Sequence, residues 1–153
     1  MPAIEDIRDI INDPQTVKVV GTVSPAGQPH TAVKQSLTVN DQGELEYLEL
    51  FESSESYRNI TSGLWRDLPV SVTVLSARGE AYNITGRTRR ILVAGRKYEE
   101  RYREVLEKHG YDLAAVVTIS PQAISDESPR RKFEEQERDR FFFKHLDRLV
   151  PVA

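Results

Sequence analysis

Hydroxyl and guanidinium groups cluster in residues 53–58, which have the composition of a phosphate-binding segment. Ser53 or Ser54 can cap a helix here, because apolar residues begin to repeat at helical spacing directly afterwards. A phosphate dianion is stabilised by hydroxyl donors, a guanidinium group and a helix N-terminus, and Ser54, Ser56 and Arg58 could supply all three. Helix capping alone needs only one serine. The segment therefore predicts either a phosphate site or a capped helix with spare serines.

Several common catalytic motifs are absent from the sequence. It contains no cysteine, which excludes disulfides, thiolate catalysis and cysteine metal sites. It contains no glycine-rich nucleotide loop and no nucleophile elbow. The three histidines, His30, His109 and His145, are far apart, and no metal-binding histidine motif occurs. We therefore expect any enzymatic activity to be carried by a cofactor rather than by a protein nucleophile.

The composition predicts one globular domain over residues 1–153. Hydrophobic residues make up 39% and charged residues 29%, which is sufficient for a single core. The formal net charge of -3 argues against a general nucleic-acid binder, which usually presents a basic surface. The first residues lack the pattern of a signal peptide, and the apolar runs are too short to span a membrane. We therefore expect a cytoplasmic protein that binds neither nucleic acid nor membrane.

The hydrophobic pattern alternates between strand and helix periods along the chain. Runs of alternating or β-branched residues predict six strands, at residues 16–24, 29–39, 44–51, 69–77, 80–93 and 114–120. Helical spacing predicts four helices, at residues 3–12, 53–65, 96–109 and 129–149. Short connections favour antiparallel pairing, and an antiparallel sheet of this length tends to close into a barrel.

Two positions on the predicted strands carry specific structural expectations. In the strand at 44–51, either Leu45 and Tyr47 or the opposite set, Leu48 and Leu50, faces the core. Gly86 interrupts the strand at 80–93, which indicates a β-bulge or a close approach of another backbone segment.

Exposed aromatic and basic residues suggest contacts outside a single subunit. Trp65 could cover a ligand, although a lone tryptophan is more typical of a core or interface anchor. Of Phe141, Phe142 and Phe143 on the terminal helix, one is expected to pack against a second subunit, because consecutive helical residues point in different directions. The basic cluster is expected to form a solvated edge rather than contact a cofactor phosphate; it consists of Arg87, Arg89 and Arg90.

Three stretches follow one another in an informative order: VGTVSPAGQPHTAVKQSLTV, then ELEYLELFESSES, then YRNI followed by PVSV. In order and spacing, residues 16–78 resemble the pyridoxamine 5′-phosphate oxidase-like family of FMN-binding split barrels. The resemblance implies a mainly β fold, a six-stranded antiparallel split β-barrel with flanking helices. It also implies a homodimer with FMN bound at the subunit interface.

The resemblance further implies which residues bind FMN. The expected contacts are His30, Thr31, Ala32, Val33 and Lys34 on one strand, Glu49, Leu50 and Phe51 on another, and Ser53, Ser54, Ser56, Arg58 and Asn59 around the helix start. Among these, Ser53, Ser54 and Arg58 would hold the phosphate. His30 could equally be a partly exposed strand residue, and Lys34 and Gln35 could either reach a flavin carbonyl or face solvent.

Two features depart from the pattern of the family. Many members have a lysine three residues before the asparagine of the helix, where this chain has Ser56. Arg58 would either replace that lysine or point to solvent. The stretch from Asn59 to Pro69 is also longer than is usual in the family.

Three functions are consistent with the sequence. The first is an FMN-binding oxidoreductase or flavin-carrying redox protein with an unidentified small-molecule substrate. The second is a non-catalytic module that binds a flavin, a deazaflavin or haem as a sensor, store or carrier. The third is a dimeric interaction protein without a cofactor.

Overall fold

The computed structural model describes residues 2–140 and 144–150 and contains one curled antiparallel sheet of seven strands. Its strands are β1 (Val17–Val23), β2 (Pro29–Val33), β3 (Thr38–Val39), β4 (Leu45–Glu49), β5 (Pro69–Leu75), β6 (Ala81–Leu92) and β7 (Ala115–Asp126). Their order in the sheet is β2-β1-β5-β6-β7-β4-β3. The helices are α1 (Arg8–Asn12), α2 (Glu55–Arg66), α3 (Arg96–His109) and α4 (Pro129–Arg140), with 3₁₀ turns at Ile4–Ile7 and Leu146–Arg148.

The connection between β2 and β3 requires the sheet to curl. These strands form its two opposite edges, yet only residues 34–37 lie between them in the chain. In a flat sheet the edges would be about 29 Å apart, whereas this link spans at most about 18 Å. The sheet therefore bends until its edges meet. We call the place where residues 34–37 lie against β4 the seam.

The strand predicted at residues 29–39 is interrupted, so the prediction of six strands is wrong by one. The side chain of Gln35 accepts a hydrogen bond from the amide of Lys18 at 2.9 Å and donates to the carbonyl of Thr16 at 3.0 Å. The Gln35 side chain thus replaces a neighbouring strand as the hydrogen-bond partner of β1. The backbone turns here, and the turn is closed by a hydrogen bond from the Leu37 amide to the Lys34 carbonyl. The chain then pairs with β4 as β3.

The last strand is longer than predicted because a β-bulge accommodates a proline. β7 continues through Pro121, which lies opposite Gly86 where the register of β6 and β7 shifts. Proline cannot donate to the ladder, so it is tolerated at such an irregularity. The prediction of a bulge or close backbone approach at Gly86 is confirmed, since a Cβ there would lie 2.3 Å from the carbonyl oxygen of Ser120.

The terminal helix is shorter than the predicted range 129–149. Residues 144 and 145 are not helical, and a 3₁₀ turn occupies residues 146–148. α4 buries none of its own side chains in the structure. Because most helices in proteins are stabilised by packing of one face, a helix without such packing is not expected to be long. The predicted contact from the phenylalanines at 141–143 lies outside the described residues.

The hydrophobic core covers one face of the sheet and is closed at one side by α1 and the turn before it. Ile7 and Ile11 belong there to one buried cluster with strand residues that include Val20 and Val72. On β4 the inward set is Leu45 and Tyr47, both fully buried, which decides between the two alternatives left by the alternation. The same face carries Glu49, which is equally buried.

Candidate functional site

A groove of about 740 Å³ opens at the seam, between the turn after β2, the end of β4 and the C-terminal end of α3. Two hydrogen bonds fix its position. The amide of Leu48 donates to the hydroxyl of Ser36 at 2.9 Å, and the amide of Ala114 donates to the carbonyl of Glu49 at 2.9 Å. The first joins the turn to β4, and the second continues the pairing of β4 and β7 up to the groove.

An ion pair lies in the wall of this groove. The ammonium group of Lys34 donates to both carboxylate oxygens of Glu49, at 3.0 and 3.2 Å. The side chains are 14% and 1% exposed, so both charges are largely removed from water. Such a pair needs good geometry to compensate for its desolvation, which the two-oxygen contact provides. It fixes one cation beside a partly apolar cavity.

Tyr47 lies beneath the ion pair. The Lys34 ammonium is 5.6 Å from the centre of the Tyr47 ring, within range of a cation–π contact. The Tyr47 hydroxyl is buried without a hydrogen-bond partner among the described residues. Burial, and then the nearby Glu49 carboxylate, raise the pKa of the Tyr47 hydroxyl well above its usual range.

We expect Tyr47→Phe to raise the free energy of unfolding by about 1 kcal/mol at pH 7, because it removes a buried hydroxyl with no partner. In the wild-type chain, Tyr47 ionises near its ordinary pKa of about 10 only after unfolding, so the folded state binds more protons above that pH. This contribution to stability is complete below about pH 10 and is lost as pH rises further.

The measurement is urea unfolding of both proteins between pH 7 and pH 11.5. Above pH 10 the free energy of unfolding should fall with pH in both proteins. The fall should be less steep in the variant, by about 1.4 kcal/mol per pH unit. Lys18, whose pKa is lowered by burial, changes stability in the opposite direction, but it is present in both proteins and cancels in the comparison. If the free energy of unfolding fell equally with pH in both proteins, Tyr47 would not be responsible for the loss of stability above pH 10.

Of the thirteen predicted cofactor contacts, five line the groove. They are Val33, Lys34, Glu49, Leu50 and Phe51. The other three predicted residues of β2 are not among the groove-lining side chains. They pair with β1 farther from the seam than Val33 does, His30 opposite Thr22, Thr31 opposite Gly21 and Ala32 opposite Val20. Strand alternation places His30 on the same side as Lys34 but farther from the seam.

The serine-rich segment follows the groove and is arranged as a capped helix. The Ser54 hydroxyl accepts a hydrogen bond from the amide of Tyr57 at 3.3 Å, so this serine is the N-cap of α2. Ser56 is fully buried and its hydroxyl has no partner within the described chain, whereas Ser53 is exposed. The cap is thus present, and the phosphate roles of these serines stay predictions.

The two remaining residues of this helix point in opposite directions. Arg58 is two-thirds exposed and lies 3.6 Å from the Glu55 carboxylate, so it points to solvent in this structure. Asn59 is buried and donates from its side-chain amide to the hydroxyl of Thr22 at 3.0 Å. That hydrogen bond attaches α2 to β1.

The second wall of the groove, which was not predicted from the sequence, is provided by α3. The wall consists of Glu104, Val105, Glu107, Lys108 and His109. Its attachment to the sheet depends on Glu46, a buried carboxylate on the outer side of β4 that pairs with Lys97 and Arg101. Tyr98 also donates to the carbonyl of Leu113 at 2.5 Å. Two features of the sequence could have predicted this contact: a glutamate that alternates with apolar residues on a strand, and regularly spaced cations on a later helix.

The basic cluster on β6 has a structural role. Arg89 and Arg90 lie 2.9 and 3.4 Å from the buried carboxylate of Glu44, and Arg87 donates to the carbonyl of Asp67 at 2.6 Å. The side chains of Arg87, Arg89 and Arg90 are 36%, 60% and 49% exposed, so they are partly solvated, but β6 lies between β5 and β7 in the sheet and the predicted edge position is wrong. The three arginines satisfy a buried acid and a loop carbonyl.

Metal-ligand clusters and membrane-spanning helices are both absent from the residues that the structure describes. No group of three or more histidine, aspartate or glutamate side chains in residues 2–140 and 144–150 could hold a metal ion. Over the same residues, none of the helices combines the length and apolar character needed to cross a membrane.

Comparison with known proteins defines the class of fold. HupZ from Group A Streptococcus superposes with a TM-score of 0.68 at 22% identity, covering 84% of this chain and 96% of HupZ. An FMN-binding protein from Syntrophomonas wolfei gives a TM-score of 0.65 at 14% identity, covering 82% and 86%. A candidate pyridoxamine 5′-phosphate oxidase from Lactobacillus delbrueckii gives 0.56 at 23% identity, covering 79% and 91%.

These likenesses show that the chain has the split-barrel fold of the pyridoxamine 5′-phosphate oxidase-like proteins. The resemblance noted from the sequence is thereby confirmed for the fold. No family profile matches the sequence, and no curated protein matches it either.

Proposed function

We propose that this chain binds FMN in the groove at the seam and serves as an FMN-dependent oxidoreductase or a flavin-carrying redox protein. One observation carries the proposal: residues predicted to contact the flavin, from two segments of the sequence, meet in one cavity. Val33 and Lys34 come from the end of β2, and Glu49, Leu50 and Phe51 from the end of β4. Bound FMN would supply the hydride or electron transfer.

The chemistry of the groove fits a flavin ring. An isoalloxazine has a flat apolar body with polar atoms at its edge, and sites for such ligands combine apolar walls with a few placed polar groups. Here Val33, Leu50 and Val105 supply apolar surface, and Lys34 supplies a cationic donor. The volume of about 740 Å³ lies within the range of small-molecule sites.

The phosphate would bind at the N-terminus of α2, which begins four residues after Phe51. Helix N-termini favour anions, because the free amides and the helix dipole both point toward them. The Ser54 hydroxyl accepts from an amide and keeps its own hydrogen free to donate. Arg58 would have to leave Glu55 to reach the phosphate, a small change because exposed ion pairs of this kind are weak.

A second copy of the chain would complete the site. Val33 is 60% exposed and Phe51 is 57% exposed at the groove, and Val17 and Leu75 are also exposed on neighbouring strands of the sheet. Clustered apolar exposure of this kind is typical of an interface. We therefore propose a homodimer with one FMN beside each seam.

The test is to purify the chain, add excess FMN, remove the unbound flavin by gel filtration, and record absorbance together with light scattering. We expect about one flavin per subunit on a particle of twice the chain mass of 17.4 kDa. A colourless protein with an intact fold would contradict FMN binding. A monomeric flavoprotein would contradict only the dimer.

A non-catalytic binding role is the second candidate, and the position of Ser56 favours it. This serine stands where many relatives of the resembled family have lysine, and it is fully buried. It therefore cannot extend a donor to solvent as lysine would. A flavin that is retained but not reduced by NADH or NADPH would favour a sensor, store or carrier. A Soret band that stays with the protein through gel filtration after haem is added would identify haem as the ligand.

A further inference from the structure

Three aromatic rings lie together beside the groove. The His109 and Tyr111 rings are stacked, with centroids 5.7 Å apart and planes at 18°. The Phe51 and Tyr111 rings are also in contact, with centroids 6.3 Å apart and planes at 53°. Phe51 and His109 line the groove, and the Tyr111 ring contacts both of them.

These rings remain largely exposed although the backbone that carries them is well fixed. Phe51 and Tyr111 are 57% and 50% exposed. Gly110 ends α3 in a left-handed conformation with a 2.9 Å hydrogen bond to the Leu106 carbonyl, and this places Tyr111. The Ala114 amide bonds to Glu49 two residues before Phe51. Exposed rings in a fixed arrangement beside a cavity are preorganised to stack on a ligand.

We propose that Phe51 and His109 form a stacking wall for one planar conjugated ring, and that Tyr111 is the positioning residue that holds both of them. For the identity of that ring this inference rests on the proposed function, which makes it the isoalloxazine of FMN. The apolar surface of the groove would meet the body of the ring, and Glu107 and Lys108, which line the groove beside His109, offer charged groups to its polar edge.

The test uses the full-length chain and three planar probes: riboflavin, FMN and metal-free protoporphyrin IX. Dissociation constants are measured by fluorescence for the wild type, His109→Ala, Tyr111→Ala and Tyr111→Phe. Leu106→Ala is the matched control, because Leu106 is an exposed apolar residue of the same helix end that does not line the groove. Thermal unfolding of each variant confirms that it folds.

We expect at least one probe to bind and His109→Ala and Tyr111→Ala to weaken it about 5- to 150-fold, the range for loss of one stacking contact. Riboflavin, which lacks the phosphate, should be weakened by the same factor as FMN. Tyr111→Phe and Leu106→Ala should stay within about twofold of the wild type, since Phe keeps the ring that positions the wall.

Each other outcome decides between the two proposals. FMN binding that neither alanine variant changes would overturn the stacking wall and leave the proposed function intact. Porphyrin binding without flavin binding, weakened by both alanine variants, would support the wall and contradict FMN as the ligand. Binding of no probe, or weaker dimerisation of the variants with unchanged probe binding, would overturn the wall as a ligand site.

Discussion

Replacing Lys34 with methionine is expected to lower the free energy of unfolding by about 3–5 kcal/mol. The change leaves the Glu49 carboxylate, which is 1% exposed, without its partner at the seam. An unpaired buried charge is among the most destabilising features that a single substitution can create. Urea unfolding monitored by circular dichroism measures the loss.

The double variant Lys34→Met with Glu49→Leu distinguishes the loss of the ion pair from the cost of leaving one buried charge unpaired. Replacing both partners by apolar residues removes the desolvation cost together with the attraction, so its stability should lie within about 1 kcal/mol of the wild type or above it. Lys132→Met is the matched control, because Lys132 pairs with Glu127 at 3.5 Å on an exposed helix and its loss should cost less than about 1 kcal/mol. Equal effects of Lys34→Met and Lys132→Met would contradict the burial of the pair.

The same double variant tests the role of Lys34 toward the cofactor. It retains the fold and lacks the one cation in the groove wall formed by β2 and β4, so FMN affinity should fall about tenfold or more if the ammonium group meets the ring edge. Unchanged FMN affinity in a stable double variant would show that the pair serves only to join the seam.

Gly86→Ala is expected to lower the free energy of unfolding by about 3 kcal/mol or more. The added Cβ would lie 2.3 Å from the Ser120 carbonyl oxygen and 3.1 Å from a methyl group of Ile119. The first of these atoms belongs to the backbone of β7 and can move only if β6 and β7 separate at the bulge. Denaturant unfolding, or loss of soluble expression, measures the effect.

Gly63→Ala provides the control for this substitution. Gly63 lies within α2, and a Cβ there would make only an ordinary contact of 3.5 Å with Leu68. Alanine is the better helix former, so Gly63→Ala should stabilise the chain by up to about 1 kcal/mol. A Gly86→Ala variant as stable as the wild type would contradict the close approach of the two strands.

Local patterns were sufficient for most elements of the fold. Alternation in residues 69–77 and 80–93 predicts the hairpin of β5 and β6, and the position of Gly86 predicts its irregularity. The division of the strand at 29–39 could not be predicted locally. It depends on the Gln35 side chain reaching the backbone of Thr16 and Lys18, a contact between segments that meet only after β1 and β2 pair.

The candidate site was predictable in part for the same reason. Lys34 and Glu49 were recognisable through a resemblance, but their ion pair joins strands that are far apart in the order of the sheet and becomes visible only once the sheet has curled. Alternation also predicts a single buried face for β4. In the structure Glu46, on its other face, is buried as well, because α3 covers it, and that contact spans 51 residues of sequence.

The most direct test of the proposed site is a crystal structure of the chain grown with FMN. We predict electron density for the isoalloxazine in the groove at the seam, with its edge at the Lys34 ammonium and one face toward Phe51 and His109, and the phosphate at the start of α2. Flavin bound elsewhere on the chain, or an empty groove at saturating FMN, would contradict the account.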